Sequence, residues 1–148
     1  MSAEPTSRRP ILLVDDSPQD AELVERALRE AGFDNPIHPV QRAEDAIRYL
    51  SGEGEYADRA KFPLPRLMLL DPRMVGVSGW EVLEWVRKRP SLRFLPVIVF
   101  SGSGYSGDAE KARQLGANAY EVKPQAFEEL VQVVKRVGEF WLRSIGGH

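Results

Sequence analysis

Four short apolar runs, each ending on a polar or charged side chain, constrain this chain more than any other feature. Ile11-Leu12-Leu13-Val14 leads into Asp15-Asp16, and Leu67-Met68-Leu69-Leu70 into Asp71. Val97-Ile98-Val99-Phe100 leads into Ser101, and Ala119-Tyr120-Glu121-Val122 into Lys123-Pro124. Apolar runs of this length, bounded by polar and turn residues, read as buried strands of a parallel sheet. In an open α/β sheet the working groups stand outside the carboxyl ends of the strands. These strand ends would therefore bring three carboxylates, a hydroxyl and an ammonium to one edge, as an acidic pocket with a cation beside it.

The 148 residues suit one domain with a real core. Twenty basic and twenty-two acidic side chains leave a net charge of −2, which gives no overall pull toward nucleic acid or an anionic membrane. With no cysteine there are no disulfides, thiol nucleophiles or zinc–thiolate sites. His38 and His148 are the two histidines, too few for a multi-histidine metal centre and ill placed for a triad. No run is long enough to span a membrane and the start has no apolar signal core, so a cytoplasmic location is expected.

Residues 1–9 read as a flexible polar tail and 10–148 as the folded domain, including an extended C-terminal helix. Ser17-Pro18-Gln19-Asp20 starts a helix with a serine cap, a first-turn proline and an acid at the positive end. Val24, Ala27, Leu28 and Ala31 form its core stripe. A weaker strand spans Pro36 to Val40, followed by a helix marked by Ala43, Ala46, Ile47 and Leu50. Residues 52–65 form a long polar connection. Ser78-Gly79-Trp80-Glu81 reads as a capping box before a helix with Val82, Leu83 and Val86 inward. A Gly-rich loop, Ser101 to Gly107, precedes a helix whose core face includes Ala109 and Ala112, and a last helix runs from about Ala126 toward Ile145. Strand–helix alternation of this kind specifies a doubly wound sheet of five βα units.

The carboxylates at the sheet edge cannot all stay ionised together without compensation. An oxygen-rich pocket with open positions suits Mg²⁺. Asp71, alone at its strand end, is the natural nucleophile, since carboxylates attack phosphorus to give aspartyl-phosphate. Lys123 would supply charge to a phosphoryl oxygen and Ser101 a hydroxyl. What remains is positioning and charge neutralisation, as in phosphoryl transfer generally.

In these residues the chain resembles the receiver domain of two-component response regulators. The likeness spans Ile11 to about Ile145 and rests on Asp15-Asp16, Asp71, Met74, Gly79, Ser101 and Lys123-Pro124 in order and spacing. It implies a flavodoxin-like (βα)5 fold with strand order 2-1-3-4-5. It also implies Asp71 as phosphoacceptor and Mg²⁺ held by Asp15, Asp16, Asp71 and the backbone carbonyl of Arg73. Ser101 and Lys123 would bind the phosphoryl group, Tyr120 would be the switch aromatic with Ser101, and Lys123–Pro124 would be cis. The donor would be a sensor histidine kinase. The long loop after the second helix and Phe140-Trp141-Leu142 further resemble regulators that partner bacterial phytochrome kinases. Three residues depart from the family pattern: Pro72, which removes a backbone donor beside the site, Arg73, which could contact the phosphoryl group or an approaching partner, and Val75.

The expected function is a stand-alone regulator, not an enzyme, that signals through altered protein contacts. The alternative is a phosphorylation-independent binding module, motivated by Pro72 and Arg73. Gly102-Ser103-Gly104-Tyr105-Ser106-Gly107 matches a dinucleotide-binding fingerprint, but that reading leaves Asp15, Asp16, Asp71 and Lys123 without a role. An aspartate-nucleophile phosphatase would want a second acid where Arg73 stands. Val133, Val137, Phe140, Trp141, Leu142 and Ile145 place apolar surface beyond one face of the last helix, which suggests a homodimer through this end.

Overall fold

The structure, a computed structural model, describes residues 9–102 and 106–144. Five parallel strands alternate with five helices: β1 (Ile11–Val14), α1 (Pro18–Glu30), β2 (Ile37–Val40), α2 (Ala43–Ser51), β3 (Leu67–Leu70), α3 (Gly79–Arg87), β4 (Val97–Ser101), α4 (Asp108–Leu115), β5 (Ala119–Val122) and α5 (Phe127–Gly138). The strand order is β2-β1-β3-β4-β5, as expected. β1 and β3 pair from Ile11↔Leu67 to Val14↔Leu70, so both strands end level, on Asp15 and Asp71.

The three central strands are buried on both faces, which is why they lack polar alternation. Ile11, Leu13, Leu67, Leu69, Ile98 and Phe100 face α1 and α5. Leu12, Val14, Met68, Leu70, Val97 and Val99 face the other layer, α2, α3 and α4. Each buried aliphatic side chain contributes about 1.5–3 kcal/mol, so this double core fixes the register that aligns the strand ends. β5 departs from the expectation of a buried strand: it is an edge strand, half-exposed, with Val122 open to solvent.

Several local signals act as their chemistry dictates. Ser17 caps α1, its hydroxyl oxygen accepting the Asp20 amide at 3.2 Å, with Pro18 in the first turn. Pro39 is tolerated in β2 because that strand lies at the sheet edge. The connection after α2 is better ordered than its composition suggests. A 3-10 turn at Gly54–Ala57 packs Tyr56 against Tyr49, and the Arg59 guanidinium donates to the carbonyls of Tyr49 and Leu50 at the end of α2, and to that of Phe62.

Other expectations need correction. Ser78 stands at the N-cap of α3, but its side chain makes no capping bond, so the capping box does not form. In α4 Ala109 is exposed and Asp108 is buried in its place, because the helix presents its first residue to an arginine from across the sheet edge. α5 continues beyond Gly138 as a π-helical turn, Glu139–Ser144. Gly138 lies against the Phe33 ring, where a Cβ would collide with it. Val137 and Leu142 are buried in the protein's own core, so among the described residues the apolar surface left at this end is smaller than the sequence implies; Phe140, 59% exposed, carries most of it. Ile145 and residues 103–105 of the Gly-rich loop lie outside the described residues. Among the described residues no helix is long and apolar enough to cross a membrane.

Candidate functional site

The sheet ladder fixes the backbone at the carboxyl edge. The Asp15 amide donates to the Val40 carbonyl, the Asp71 amide to Val14 and the Lys123 amide to Ser101, at 3.1, 2.9 and 2.7 Å. The ends of β1, β3 and β5 therefore deliver their side chains to one place. Carboxylate oxygens of Asp15, Asp16 and Asp71 lie within 4.8 Å of one another. Lys123 Nζ reaches into the cluster, 3.0 Å from Asp15 Oδ2 and 3.3 Å from Asp71 Oδ2.

Each carboxylate is also held by backbone donors. Asp15 Oδ1 accepts the Ser17 amide at 3.0 Å, Asp16 Oδ2 the Val75 amide at 3.1 Å, and Asp71 Oδ1 the Arg73 amide at 2.8 Å. The turn after β3 thus wraps the cluster. It does so because Gly79 lets α3 start against it; a Cβ at 79 would strike the Asp71 carbonyl and stand 2.7 Å from Pro72 Cα. Met74 anchors the same turn in the core.

The electrostatics are unbalanced toward negative charge. Burial raises the Asp15 carboxyl above its ordinary value, and the Asp71 charge adds to this against the opposing pull of the Ser17 amide and Lys123. Burial would lower the Lys123 ammonium, but Asp15, Asp71 and Asp20 outweigh it and hold its pKa above the usual range. One ion pair thus favours charge on the lysine while its buried acid partner resists ionisation. The lysine's shift comes from the three carboxylates around it, whereas that of Asp15 comes first from burial and only in small part from the Asp71 charge. A site of this composition can take a further cation.

The expected residues do not all converge. Asp15, Asp16, Asp71 and Lys123 come together. Ser101 is fully buried and its hydroxyl donates to the adjacent Gly102 carbonyl at 3.2 Å. Tyr120 is half-buried and packs against the α2–α3–α4 side of the core. The Arg73 guanidinium turns to buried Asp108, with Nη2 2.6 Å from each carboxylate oxygen. The Lys123–Pro124 bond is trans, contrary to the expected cis bond. Trans is the favoured isomer, and from it the Lys123 amide extends the β5 ladder while its ammonium still meets the carboxylates.

Two participants escaped the sequence reading. Asp20 Oδ2 lies 3.3 Å from Lys123 Nζ, one turn into α1. Its serine cap and first-turn proline signalled a helix start but not that this start faces the pocket. Asp108 is 35 residues from Arg73 and no motif links them.

Comparison with known proteins gives the family and agrees with the fold. Residues 11–135 match the model of the response regulator receiver domain. The probable methanogenesis regulatory protein FilR2 of Methanothrix harundinacea is 36% identical, over 89% of this chain and 83% of its own. Response regulator Rcp1 of Synechocystis sp. is 31% identical over 98% of this chain and 97% of its own. The Mn²⁺-bound structure of Rcp1 covers 92% of this chain and 96% of its own, with a TM-score of 0.80. The phosphorylated cyanobacterial phytochrome response regulator RcpA superposes with a TM-score of 0.82 at 34% identity, over 91% of this chain and 94% of its own. The chain belongs to the response regulator receiver family.

Proposed function

We propose that Asp71 accepts a phosphoryl group from the phosphohistidine of a sensor histidine kinase, in a Mg²⁺-dependent reaction, and that the modified protein signals through changed protein contacts. The observation that carries this reading is the cluster itself: three carboxylates within one ion's reach, with Lys123 against Asp71. The donor set is all oxygen, as Mg²⁺ requires, and the excess negative charge gives such an ion a reason to bind.

Asp15, Asp16, Asp71 and the Arg73 carbonyl would hold the metal, which when bound neutralises charge on the pocket and on the phosphoryl oxygens. The Arg73 amide orients the Asp71 carboxylate. An Asp71 oxygen forms the new bond to phosphorus as the P–N bond of the donor imidazole breaks and the imidazole leaves with the electron pair. Lys123, already beside Asp71 Oδ2, follows the charge to a phosphoryl oxygen. The Ser101 hydroxyl leaves the Gly102 carbonyl for another phosphoryl oxygen, and Tyr120 repacks behind it. The added charge then shifts a pre-existing equilibrium on the α4–β5–α5 face.

The likeness to RcpA supports a phytochrome-type kinase as donor. Phe140 packs edge-to-face on Trp141 at 4.8 Å and, exposed at the end of the chain's last described element, supports self-association through that end. The test is phosphotransfer from a radiolabelled phytochrome-type histidine kinase. Label passes to wild type with Mg²⁺ and stays on the kinase with Asp71→Asn or with EDTA. Label reaching Asp71→Asn equally would contradict the assignment, and wild type remaining unlabelled by any such donor, including small phosphodonors, would favour a phosphorylation-independent module.

A further inference from the structure

The opposite edge of the sheet carries a second charged site that plays no part in the chemistry above. The register of β1 and β3 sets Pro10 beside Arg66, and the Arg66 amide donates to the Pro10 carbonyl at 2.8 Å. Arg9 and Arg66 are thereby brought together where the two strands begin. Arg66 is 7% exposed. Its Nε and Nη2, and the Nε of Arg9, are closed off from solvent and have no hydrogen-bond acceptor among the described residues. Guanidinium groups in folded proteins are ordinarily paired when buried. Here burial, and then the neighbouring Arg9 charge, push the Arg66 pKa down.

Both arginines border a cavity of about 270 Å³, roofed by the segment that leads into β4. That segment contributes Ser91, Phe94, Leu95 and Pro96, and no acidic residue among the described ones lines the cavity. Phe94 is 83% exposed at the rim, with the Arg93 guanidinium 4.8 Å from its ring centre. Three guanidinium nitrogens without an acceptor, a hydroxyl and apolar walls together lack one component, an anion.

We propose that this cavity binds an oxyanion, a carboxylate or phosphate group held by the Arg66 and Arg9 guanidinium groups, with any apolar portion of the ligand lying on Phe94 and Pro96. The planar guanidinium fork matches both groups in geometry and charge. The site is independent of the phosphoacceptor reading, since it lies at the other end of the strands.

The experiment is thermal unfolding in EDTA with rising sodium phosphate or sodium benzoate, against sodium chloride at equal ionic strength. EDTA leaves the Asp15–Asp16–Asp71 pocket acidic and repellent to anions. Wild type and Asp71→Asn are expected to show the same saturable rise in Tm with at least one oxyanion and none with chloride. Arg66→Met is expected to weaken the apparent affinity by about tenfold or more, and Arg9→Met, at a less buried position, serves if Arg66→Met does not fold. A stronger response to benzoate identifies a carboxylate ligand, and a stronger response to phosphate a phosphate ligand. Amide chemical shifts should move at Leu64, Arg66 and residues 91–95. A wild-type response no greater than chloride, or one retained by both arginine variants, would overturn the proposal.

Discussion

Asp15 is the most deeply buried acid of the cluster, and burial opposes its ionisation. Its folded pKa lies above the ordinary 3.8, so its stabilising contribution is complete below that pH and is lost as pH rises through the folded value. Asp15→Asn should therefore raise the Tm of the metal-free protein at neutral pH by a few degrees. The gain should shrink on acidification, and Mg²⁺ should stabilise wild type but not the variant, as read by calorimetry across pH. The Arg73–Asp108 pair makes a second claim. Asp108 is buried while Arg73 is partly exposed, so solvent screening tempers the loss, and Arg73→Ala should cost about 1–2 kcal/mol by leaving the acid uncompensated. Asp108→Asn in the Arg73→Ala background should recover part of that loss in denaturant unfolding. Asp15, Asp16, Asp71 and Lys123 were legible in the sequence because each stands directly after an apolar run. Asp20 and Asp108 were not, because what makes them partners is the approach of separate elements, which spacing along the chain does not encode.

Among the elements, the turn between β3 and α3 holds the site with the least tolerance. Gly79→Ala should destabilise by about 1–3 kcal/mol, since a methyl group there meets backbone that must shift, and the shift would disturb the Asp71 carboxylate. Urea unfolding measures the first effect and Mg²⁺ titration the second. The connection after α2 makes a different prediction. Arg59 satisfies two carbonyls at the end of that helix, so Arg59→Ala should speed amide exchange in residues 48–63 while leaving the central strands protected. Strands β1, β3 and β4 and the start of α1 could be read directly, because burial on both faces and a Ser-Pro cap leave plain marks. The order within 52–65 was hidden by its polar composition, since an arginine bound to carbonyls looks in sequence like a solvated one. The end of α5 was misjudged for a related reason: its apolar residues exceed one helical face, but Val137 and Leu142 find their own core.

For the whole molecule, the sheet order was legible through strand–helix alternation and the family resemblance together. Surface association was not, since exposed apolar area depends on how α5 ends. Sedimentation velocity should show weaker self-association for Phe140→Glu than for wild type, with or without phosphorylation. Phosphoacceptance by Asp71 is the central claim, and intact mass after incubation with a small-molecule phosphodonor and Mg²⁺ tests it most directly. One added phosphoryl group on wild type, absent from Asp71→Asn and from samples without metal, is the predicted result. An adduct of equal yield on Asp71→Asn, or none on wild type assayed before an acyl phosphate can hydrolyse, would contradict it.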